Sequence, residues 1–537
     1  MVMRASLHVD TFARQNLPPE DQWPIFEFLL RELKIADPFN CGAWLLDRAL
    51  RNGAPDAPAV FHSGTVWSYA DLASKTNQIC HVLIEDLGVV PGNRVLLRGG
   101  NSPMMFAAWL ATMKVGAIAV STMPMLRAQE LDQIVSKAKV DVAICAEDLI
   151  GELEGILNES SLKQIITYGA TDFTLESAMQ TKPNHFDAVA TSQDDVCIIA
   201  FTSGTTGQPK ATMHFHRDVL AMCETFAKHM VPADANSIFS GTPPIAFTFG
   251  LGGLLAFPLY FRGMIALPDA SSPAALAEAV EQYRVTHLFT SPTGYKALAS
   301  KKAEHDLSSL KVGVSAGEPL SAHVSDLWKD ATGIRLIDGI GSTEMIHCFI
   351  SATGAEIRPG ATGKPVPGYR AELFDEKFEP LMGSGTGWLG VRGPTGCRYL
   401  SDPRQLEYVV NGWNITGDIY RRDEDGYYWF VARSDDMIVS GGYNIAGPEI
   451  ELALGQHPHV EECAVIGWPD PDRGQIVKAI VVPKPGIAAD AALAKMLQEH
   501  VKTTLAPYKY PRAVEFRTAL PKTATGKLQR AALRAKI

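Results

Sequence analysis

The feature that most constrains the fold of this chain is a regular alternation of short apolar runs and helical patterns between about residues 55 and 350. Runs rich in β-branched residues recur at residues 94–97, 140–146, 196–201, 286–290, 312–315 and 335–337. Stretches such as residues 274–282, just after Pro273, have the length and pattern of crossover helices. This order is typical of βαβ units. The sequence therefore predicts an α/β fold with two doubly wound, mostly parallel sheets, at about residues 55–190 and 191–350.

The last third of the chain changes its pattern twice. Residues 351–432 contain short strand-like runs separated by many glycines and prolines, which predicts an antiparallel, β-barrel-like subdomain. Beyond Arg433, two strand-like runs at residues 462–468 and 476–483 precede apolar residues at helical spacing, which indicates a small α+β domain. We therefore expect a large domain of residues 1–434 and a small carboxyl-terminal domain of residues 435–537.

Composition excludes several classes of protein. The chain has 537 residues with 59 acidic and 49 basic side chains, a net charge of −10, and no basic stripe that could neutralise a nucleic acid backbone. Its most apolar stretch, residues 247–268, is interrupted by glycines, Pro258 and Arg262, so it predicts buried core and not a membrane span. The eight cysteines form no CxxC pair. We expect a cytoplasmic protein without nucleic acid or membrane partners, either a monomer or a homodimer.

The strongest single motif is a nine-residue run of glycines and hydroxyl side chains directly after the apolar run 197–201. The run is Thr202, Ser203, Gly204, Thr205, Thr206, Gly207, Gln208, Pro209 and Lys210. Glycines let backbone N–H groups approach oxyanions, the hydroxyls add donors, and Lys210 adds a positive charge. Because Pro209 precedes the lysine, the run is not a Walker A sequence. It predicts a phosphate-binding loop.

This run resembles the phosphate loop of the adenylate-forming superfamily, which contains acyl-CoA synthetases, luciferases and peptide-synthetase adenylation domains. Further segments that resemble the signatures of that family follow in order, at residues 315–320, 338–344, 413–418, 433–438, 440–445 and 520–528. The resemblance covers nearly the whole chain. It implies an acid–thiol ligase that uses ATP, Mg²⁺ and coenzyme A, and that forms an acyl-adenylate and then a thioester.

The resemblance also implies roles for individual residues. Thr343 would hold a phosphate oxygen, and Glu344 would bind Mg²⁺ through its carboxylate. Asp418 would accept both ribose hydroxyls, with Arg433 donating to the ribose from the other side. The adenine pocket would be lined by Gly317, Glu318, Pro319, Asp338, Gly339 and Ile340. Together with the phosphate loop, these residues form the expected ATP site.

The carboxyl-terminal residues would complete the two half-reactions. Lys527 is the expected catalytic lysine, since an ammonium can bridge the attacking carboxylate and the α-phosphate and stabilise the charge that develops between them. Asp435 matches the hinge position about which the small domain moves in the family. Gly441, Gly442 and Tyr443 would border the channel for the pantetheine arm of coenzyme A.

The resemblance of three segments bears on the nature of the acid. Residues 246–252 and 338–345, together with the amino-terminal residues 10–19, resemble ligases of benzoate and 2-aminobenzoate. By matching position, the acyl pocket would be lined by Ala227, Phe247, Ala316, Gly339, Ile346 and His347. The sequence therefore predicts an aryl-acid CoA ligase, with benzoate or 2-aminobenzoate as its acid.

Three alternatives remain at the level of sequence. A medium-chain aliphatic acyl-CoA synthetase is compatible with Gly339 and with the apolar stretch near Phe247. A stand-alone adenylation enzyme could load a separate carrier protein. A non-enzymatic nucleotide-binding relative is the third, and retention of Lys210, Thr343, Glu344, Asp418, Arg433 and Lys527 argues against it. The triplet His216-Arg217-Asp218 mimics a kinase motif but lacks the asparagine that should follow, so we interpret it as coincidence.

Overall fold

The computed structural model describes residues 3–157, 160–169, 174–202, 209–440, 443–470, 473–505, 507–522 and 528–534. Strands of the first half are β1 (Pro58–His62), β2 (Thr65–Ser68), β3 (Arg94–Arg98), β4 (Ile118–Thr122), β5 (Val142–Ala146), β6 (Gln164–Tyr168), β7 (Val196–Thr202), β8 (Lys210–Phe215), β9 (Ile238–Gly241) and β10 (Met264–Ala266). Those of the second half are β11 (His287–Thr290), β12 (Val312–Ala316), β13 (Leu336–Gly341), β14 (Cys348–Ser351), β15 (Lys364–Pro365), β16 (Arg370–Phe374), β17 (Gly385–Arg392), β18 (Val409–Val410), β19 (Trp413–Arg422), β20 (Tyr428–Arg433), β21 (Met437–Ser440), β22 (Tyr443–Ala446), β23 (Val460–Asp470), β24 (Gly474–Pro483) and β25 (Ala513–Phe516).

Helices alternate with these strands. The longer ones are α2 (Cys41–Asn52), α3 (Tyr69–His81), α4 (Pro103–Lys114), α5 (Ala128–Ala138), α12 (Pro273–Tyr283), α13 (Pro292–Ala299), α14 (Ala322–Thr332), α16 (Gly447–Gly455) and α17 (Ala491–Thr504). Short helices are α1 (Phe12–Gln15), α6 (Gly151–Glu154), α7 (Leu175–Met179), α8 (His216–Met222), α9 (Lys228–Met230), α10 (Thr248–Leu251), α11 (Phe257–Phe261), α15 (Gln405–Tyr408) and α18 (Arg530–Arg534). π-Helical turns extend α3, α8 and α10 at Val82–Asp86, Cys223–Ala227 and Gly252–Ala256, and a 3₁₀ turn forms at Thr343–Met345.

Three of the crossover helices begin in the same way. In α4, α12 and α13 a serine is followed by proline at the first helical position, and the serine hydroxyl accepts a hydrogen bond from the backbone N–H three residues on. Proline fits there because the first turn needs no N–H donor, and the serine satisfies one of the unpaired N–H groups. The helix expected at residues 274–282 is therefore found at Pro273–Tyr283, one residue longer at each end.

Two large sheets form the bulk of the chain. The six-stranded sheet has the order β6-β5-β3-β4-β7-β8, with every pair parallel except β7 with β8. The nine-stranded sheet has the order β15-β14-β13-β12-β11-β9-β10-β1-β2, and its central strands from β13 to β1 are parallel. The predicted α/β fold with two doubly wound sheets is confirmed.

The two sheets do not follow the predicted ranges 55–190 and 191–350. The hairpin of β1 and β2 joins the second sheet through β10, whereas β7 and β8, beyond residue 190, complete the first sheet. Along the chain, β1 and β2 therefore belong to the nine-stranded sheet, β3 to β8 form the six-stranded sheet, and β9 to β15 complete the nine-stranded sheet. A local pattern of strands and helices cannot reveal this exchange, because strand pairing between β1 and β10 joins residues about two hundred positions apart.

Two smaller sheets complete the fold. The third has the order β16-β17-β19-β18, with β20 paired antiparallel to β19, and corresponds to the predicted antiparallel subdomain. The fourth has the order β22-β21-β24-β23, with β25 parallel to β24, and forms the carboxyl-terminal α+β domain with α16 and α17. Its core contains Ile438, Ile450, Leu497 and Val501.

The chain divides into two compact units, and their boundaries fall within strands of the third sheet. The first unit is Met1–Ala371 with Val391–Asn414, and the second is Glu372–Gly390 with Ile415–Ile537. This division groups residues 415–434 with the carboxyl-terminal residues. The domain boundary that the sequence indicates at residue 434 stays a prediction. Within the described ranges, the helices are all too short or too polar to cross a bilayer.

Candidate active site

The predicted phosphate loop is the connection of a β-hairpin. Thr202 ends β7, Lys210 begins β8, and the two residues are directly paired in antiparallel register. Ser203, Gly204, Thr205, Thr206 and Gly207 lie outside the described residues. The Lys210 ammonium lies 5.3 Å from the ring centroid of Tyr399, close enough for a cation–π interaction. The loop is thus anchored by strand pairing at its base, with its lysine held against an aromatic ring.

Glu344 is a buried carboxylate in the 3₁₀ turn that follows β13. The Tyr399 hydroxyl donates a 2.6 Å hydrogen bond to its Oε1. Burial and the charge of Glu344 raise the pKa of Tyr399 well above its usual range, so this hydroxyl stays protonated and remains a donor. Oxygen ligands are the ones that Mg²⁺ prefers, and it is usually bound in proteins by one or two carboxylates together with substrate phosphates. The fixed carboxylate of Glu344 fits such a role.

The turn that carries Thr343 and Glu344 is held along its whole length. The His214 ring donates from Nε2 to the Thr343 carbonyl at 2.7 Å, while the Thr343 side chain stays half-exposed. Flanking residues are fixed as well, by bonds between Ser342 Oγ and the Tyr408 hydroxyl (3.1 Å) and from Thr395 Oγ1 to the Met345 carbonyl (2.9 Å). The residues predicted to hold a phosphate oxygen and a cation are therefore rigidly supported.

The segments predicted to contact adenine end two neighbouring strands of the nine-stranded sheet. Gly317 follows β12 with φ of 89°, a conformation that favours glycine, and Glu318 Oε2 accepts a 2.8 Å bond from the Thr293 hydroxyl. On β13, Asp338 has a buried Oδ1 for which the described residues supply no hydrogen-bond partner, and burial raises the pKa of this carboxyl well above its usual range. Its neighbours Gly339 and Ile340 continue the strand, and Pro319 is exposed.

His347 is the most unusual polar side chain of the predicted acyl pocket. It is 2% exposed, and neither ring nitrogen has a hydrogen-bond partner among the described residues. Its ring is surrounded by Phe226 (4.7 Å between centroids), Phe257 (4.8 Å) and Phe249 (5.9 Å). Burial lowers the pKa of His347 to about 3, so the imidazole is neutral at physiological pH.

The other predicted acyl residues come from several elements of the fold. Ala316 and Gly339 are opposite each other in the β12–β13 pair, and a Cβ at Gly339 would stand 2.9 Å from Cys348 Sγ. Ala227, next to Phe226, is fully buried. Phe247 precedes α10, whereas the ring from this segment that contacts His347 is that of Phe249.

Ile346, itself one of the predicted acyl residues, lies between Glu344 and His347 with its backbone in an uncommon conformation. Its φ is 63° and its ψ is −31°, and its side chain is fully buried. A β-branched residue rarely adopts positive φ, and such strain is often found next to functional sites. The chain therefore turns sharply between Glu344 and His347, which are only three positions apart.

The predicted ribose residues lie together in the second compact unit. Asp418 and Arg433 are paired in register across β19 and β20, and Arg433 Nη1 donates to Asp418 Oδ1 at 3.1 Å and to the Thr416 carbonyl at 3.0 Å. Gly417 has φ of 77°, and a Cβ there would stand 3.0 Å from Arg433 Nη2. A glycine at this position thus permits the arginine to lie beside the carboxylate.

The remaining predicted site residues are only partly described. Asp435 belongs to the 3₁₀ turn Ser434–Asp436, and Tyr443 begins β22. Gly441, Gly442 and Lys527 lie outside the described residues. Their roles as hinge, pantetheine channel and catalytic lysine stay predictions.

Sequence reasoning missed the side chains that support the site. Tyr399, which holds Glu344, and His214, which holds Thr343, were not predicted, and Asp218 was interpreted as part of a coincidental triplet. In the structure Asp218 is fully buried and forms an ion pair with Arg398. Arg398 and Asp218 are 180 positions apart, so no local spacing could have connected them.

Comparison with known families agrees with this geometry. Residues 46–399 match the model of the AMP-binding enzyme family, and residues 449–527 match that of the AMP-binding enzyme C-terminal domain. The chain therefore belongs to the AMP-binding enzyme family.

Its relatives include acid–CoA ligases. It is 33% identical over 514 residues to the benzoate–CoA ligase of Thauera aromatica, covering 94% of this chain and 97% of that one. It is 32% identical to the human mitochondrial acyl-coenzyme A synthetase ACSM3, covering 88% and 83%. Among solved structures, the anthranilate CoA ligase AuaEII in complex with anthranoyl-AMP is similar with a TM-score of 0.89 and 33% identity, covering 94% of this chain and 99% of that one.

The acid–thiol ligase predicted from the sequence is confirmed. The chain is an ATP-dependent, AMP-forming acid–CoA ligase that uses ATP, Mg²⁺ and coenzyme A, and its similarity extends to the aryl-acid ligases of the superfamily.

Proposed function

We propose that this ligase activates an aryl acid, benzoate or 2-aminobenzoate, and that the 2-amino compound is the better substrate. The observation that carries this proposal is the buried, neutral His347, which lies among three phenylalanine rings and whose ring nitrogens find no hydrogen-bond partner in the described part of the chain. A buried polar group without partners is costly, by about 1–3 kcal/mol, unless a ligand supplies the missing hydrogen bond.

The chemistry of this cage favours a flat ring with a polar substituent. Phenylalanine faces offer apolar contact to an aromatic ring, and a neutral imidazole can accept a hydrogen bond from an amino group at its unprotonated nitrogen. An aliphatic acid would offer neither an aromatic ring to the phenylalanine faces nor a donor to His347, whereas benzoate would offer the ring and 2-aminobenzoate both. Support also comes from the relatives whose printed names include benzoate and anthranilate, the latter being 2-aminobenzoate.

We propose a separate group of residues for each part of ATP. We assign the phosphates to the hairpin loop of Thr202 and Lys210 and to the Thr343 hydroxyl, and the ribose to Asp418. Asp338 Oδ1, for which the described residues supply no donor, is an acceptor of the kind that an exocyclic amine requires. Glu344 would hold Mg²⁺, which supplies positive charge that neutralises the phosphate oxygens and polarises the phosphorus they surround.

In the first half-reaction, a carboxylate oxygen of the acid attacks the α-phosphorus of ATP. The new O–P bond forms as the bond to pyrophosphate breaks, giving the mixed anhydride acyl-AMP. Lys210, held by Tyr399, attracts the phosphates, and the ammonium of Lys527 balances the charge that gathers between the two anions. Tyr399 keeps the Glu344 carboxylate in one orientation throughout.

In the second half-reaction, the sulfur of coenzyme A attacks the carbonyl carbon of the acyl-AMP. The thiol proton is lost, a C–S bond forms, and AMP departs with the electrons of the C–O bond. We assign Gly441, Gly442 and Tyr443 to the passage of the pantetheine arm, with rotation about Asp435 exchanging the two states.

The proposal predicts a clear order of acids in a pyrophosphate-release assay. With ATP, Mg²⁺ and coenzyme A, we expect kcat/KM to be highest for 2-aminobenzoate and lower for benzoate, which offers no amino group to His347. We expect it to be at least about tenfold lower for hexanoate or octanoate, which lack both the amino group and the aromatic ring. Detection of the acyl-CoA by mass spectrometry distinguishes thioester formation from pyrophosphate release alone.

The same assay decides between this proposal and its alternatives. Highest kcat/KM with octanoate would refute the aryl assignment and establish an aliphatic acyl-CoA synthetase. Rapid pyrophosphate release with no acyl-CoA, but with loading of a phosphopantetheinylated carrier protein, would establish the carrier-loading alternative.

Replacement of His347 by leucine is expected to change selectivity without weakening the fold. Loss of the acceptor should lower kcat/KM for 2-aminobenzoate by roughly tenfold more than for benzoate, since one hydrogen bond to a buried partner is worth about 1–2 kcal/mol. Leucine removes two unsatisfied nitrogens from an apolar site, so the melting temperature should hold or rise.

Because the readout is a ratio between two acids, each acid serves as the control for the other. If H347L lowers both values of kcat/KM by the same factor, the imidazole does not recognise the 2-amino group, and the preference for that substituent must be abandoned.

A further inference from the structure

A chain of buried polar side chains lies beneath the turn that carries Thr343 and Glu344. It begins at His214 on β8, four residues beyond Lys210, so both side chains project from the same face of that strand. His214 is fully buried, and its Nε2 lies 2.7 Å from the Thr343 carbonyl oxygen. Since the carbonyl can only accept, Nε2 must carry the proton that it donates.

The other side of the imidazole faces a fixed carboxylate. His214 Nδ1 lies 3.4 Å from Asp218 Oδ2, and the same oxygen accepts a 3.0 Å bond from the Phe215 N–H. Arg398 forms an ion pair with Asp218. Although burial opposes it, the charge of Arg398 together with His214 and Arg217 holds the pKa of Asp218 below its usual value, so this carboxylate stays ionised.

Arg398 connects this series of buried polar side chains to Tyr399, which supports Glu344. It precedes Tyr399, whose hydroxyl holds the Glu344 carboxylate, and the segment 398–400 runs antiparallel to β8, with bonds from Met213 N–H to the Arg398 carbonyl and from Leu400 N–H to the Ala211 carbonyl. Arg398 thus supports Thr343 through Asp218 and His214. Its neighbour Tyr399 supports Glu344 directly.

We infer that His214 is a positioning residue for adenylate formation. Its Nε2–H fixes the Thr343 carbonyl, and the Asp218–Arg398 pair fixes the imidazole, so that the Thr343 hydroxyl and the Glu344 carboxylate are presented to the triphosphate and its cation. His214 touches neither substrate nor metal in this scheme and acts through the turn. The inference rests on the proposed roles of Thr343 and Glu344.

The test compares two variants that differ only in reach. His214→Gln has an amide that can donate to the Thr343 carbonyl, whereas His214→Asn carries the same amide on a side chain one methylene shorter. We expect H214N to lower kcat of pyrophosphate release by roughly 10- to 100-fold and to raise the Mg²⁺ concentration for half-maximal rate, as loss of an outer support of a metal ligand does. H214Q should recover most of both losses, with KM for the acid unchanged in either variant.

His287 provides the matched structural control. It is likewise buried, in strand β11 of the nine-stranded sheet, and its Nε2 lies 2.9 Å from the backbone carbonyl oxygen of Pro232. We expect His287→Asn to lower the melting temperature by as much as H214N does, with kcat and the Mg²⁺ dependence close to those of the native protein.

Two results would overturn the inference. The first is that kcat and the Mg²⁺ dependence of H214N are altered no more than those of H287N. The second is that H214Q is no more active than H214N. If H214N does not fold, H214Q is compared with the native protein instead. A folded H214Q whose kcat is about 100-fold lower would contradict the inference, because its amide can still donate to the Thr343 carbonyl.

The variant Glu344→Gln, measured alongside, separates the inference from its premise. An unchanged Mg²⁺ dependence in E344Q would mean that the proposed metal position itself is wrong. A shifted dependence in E344Q with none in H214N would contradict only the role given to His214.

Discussion

Replacement of Lys527 by alanine is expected to lower the rate of adenylate formation by at least about 100- to 1000-fold while leaving thioester formation from supplied acyl-AMP nearly intact. The physical reason is charge. In the first half-reaction a carboxylate must approach a triphosphate, and an ammonium between them offsets the repulsion as the new bond forms. In the second half-reaction the attacking group is a sulfur and the electrophile a carbonyl carbon, so that ammonium has no comparable task. Isotope exchange between ATP and pyrophosphate measures the first step, and acyl-CoA formed from synthetic acyl-AMP measures the second.

Lys522 is the matched control for this prediction. It lies on the same terminal segment, is 41% exposed, and forms an ion pair with Glu462. Exposed pairs of this kind contribute at most about 1 kcal/mol, so K522A should retain both half-reactions. Equal loss of the two half-reactions in K527A would contradict the role assigned to Lys527.

Replacement of Glu344 by glutamine is expected to have the second largest effect. Glutamine keeps the shape of the side chain and an oxygen that accepts from the Tyr399 hydroxyl, so the turn should stay folded. It loses the negative charge, and a neutral amide is a much weaker ligand for a hard dication. We expect adenylation to fall by roughly 100-fold at fixed Mg²⁺. The loss should be partly recovered at high Mg²⁺, which a titration of the initial rate would reveal.

The control for E344Q is Glu304→Gln. Glu304 is 58% exposed and paired with Lys301 at 2.8 Å, and neither residue is assigned to the reaction, so removal of this charge should leave the rate unchanged. If E344Q keeps the native rate at every Mg²⁺ concentration, the cation is bound elsewhere.

Much of the fold could be predicted because its causes are local. Apolar runs such as residues 312–315 are buried strands in the structure, and the helix predicted at residues 274–282, just after Pro273, is found at Pro273–Tyr283. The interleaving of the two sheets could not be predicted. It depends on which strands pair, and pairs such as β1 with β10 are formed by residues far apart in the chain.

The same division applies to the candidate site. Residues within a continuous motif, such as Thr343 and Glu344, were found from sequence, whereas the side chains that hold them were not. The bond from Tyr399 to Glu344 joins residues 55 positions apart, and that from His214 to Thr343 joins residues 129 apart. Histidine and tyrosine in apolar strands are common core residues, and only the folded arrangement shows which carbonyl or carboxylate they meet.

The sharp bend at Ile346 has a practical consequence for protein engineering. Thr343 and Glu344, which are assigned to the phosphates and their cation, shortly precede this residue in the chain, and His347, which lies among three phenylalanine rings, directly follows it. Libraries that randomise positions 226, 249, 257 and 347, while the tetrapeptide 342–345 and the bend itself are left untouched, should yield enzymes with altered acid range and undiminished turnover of ATP.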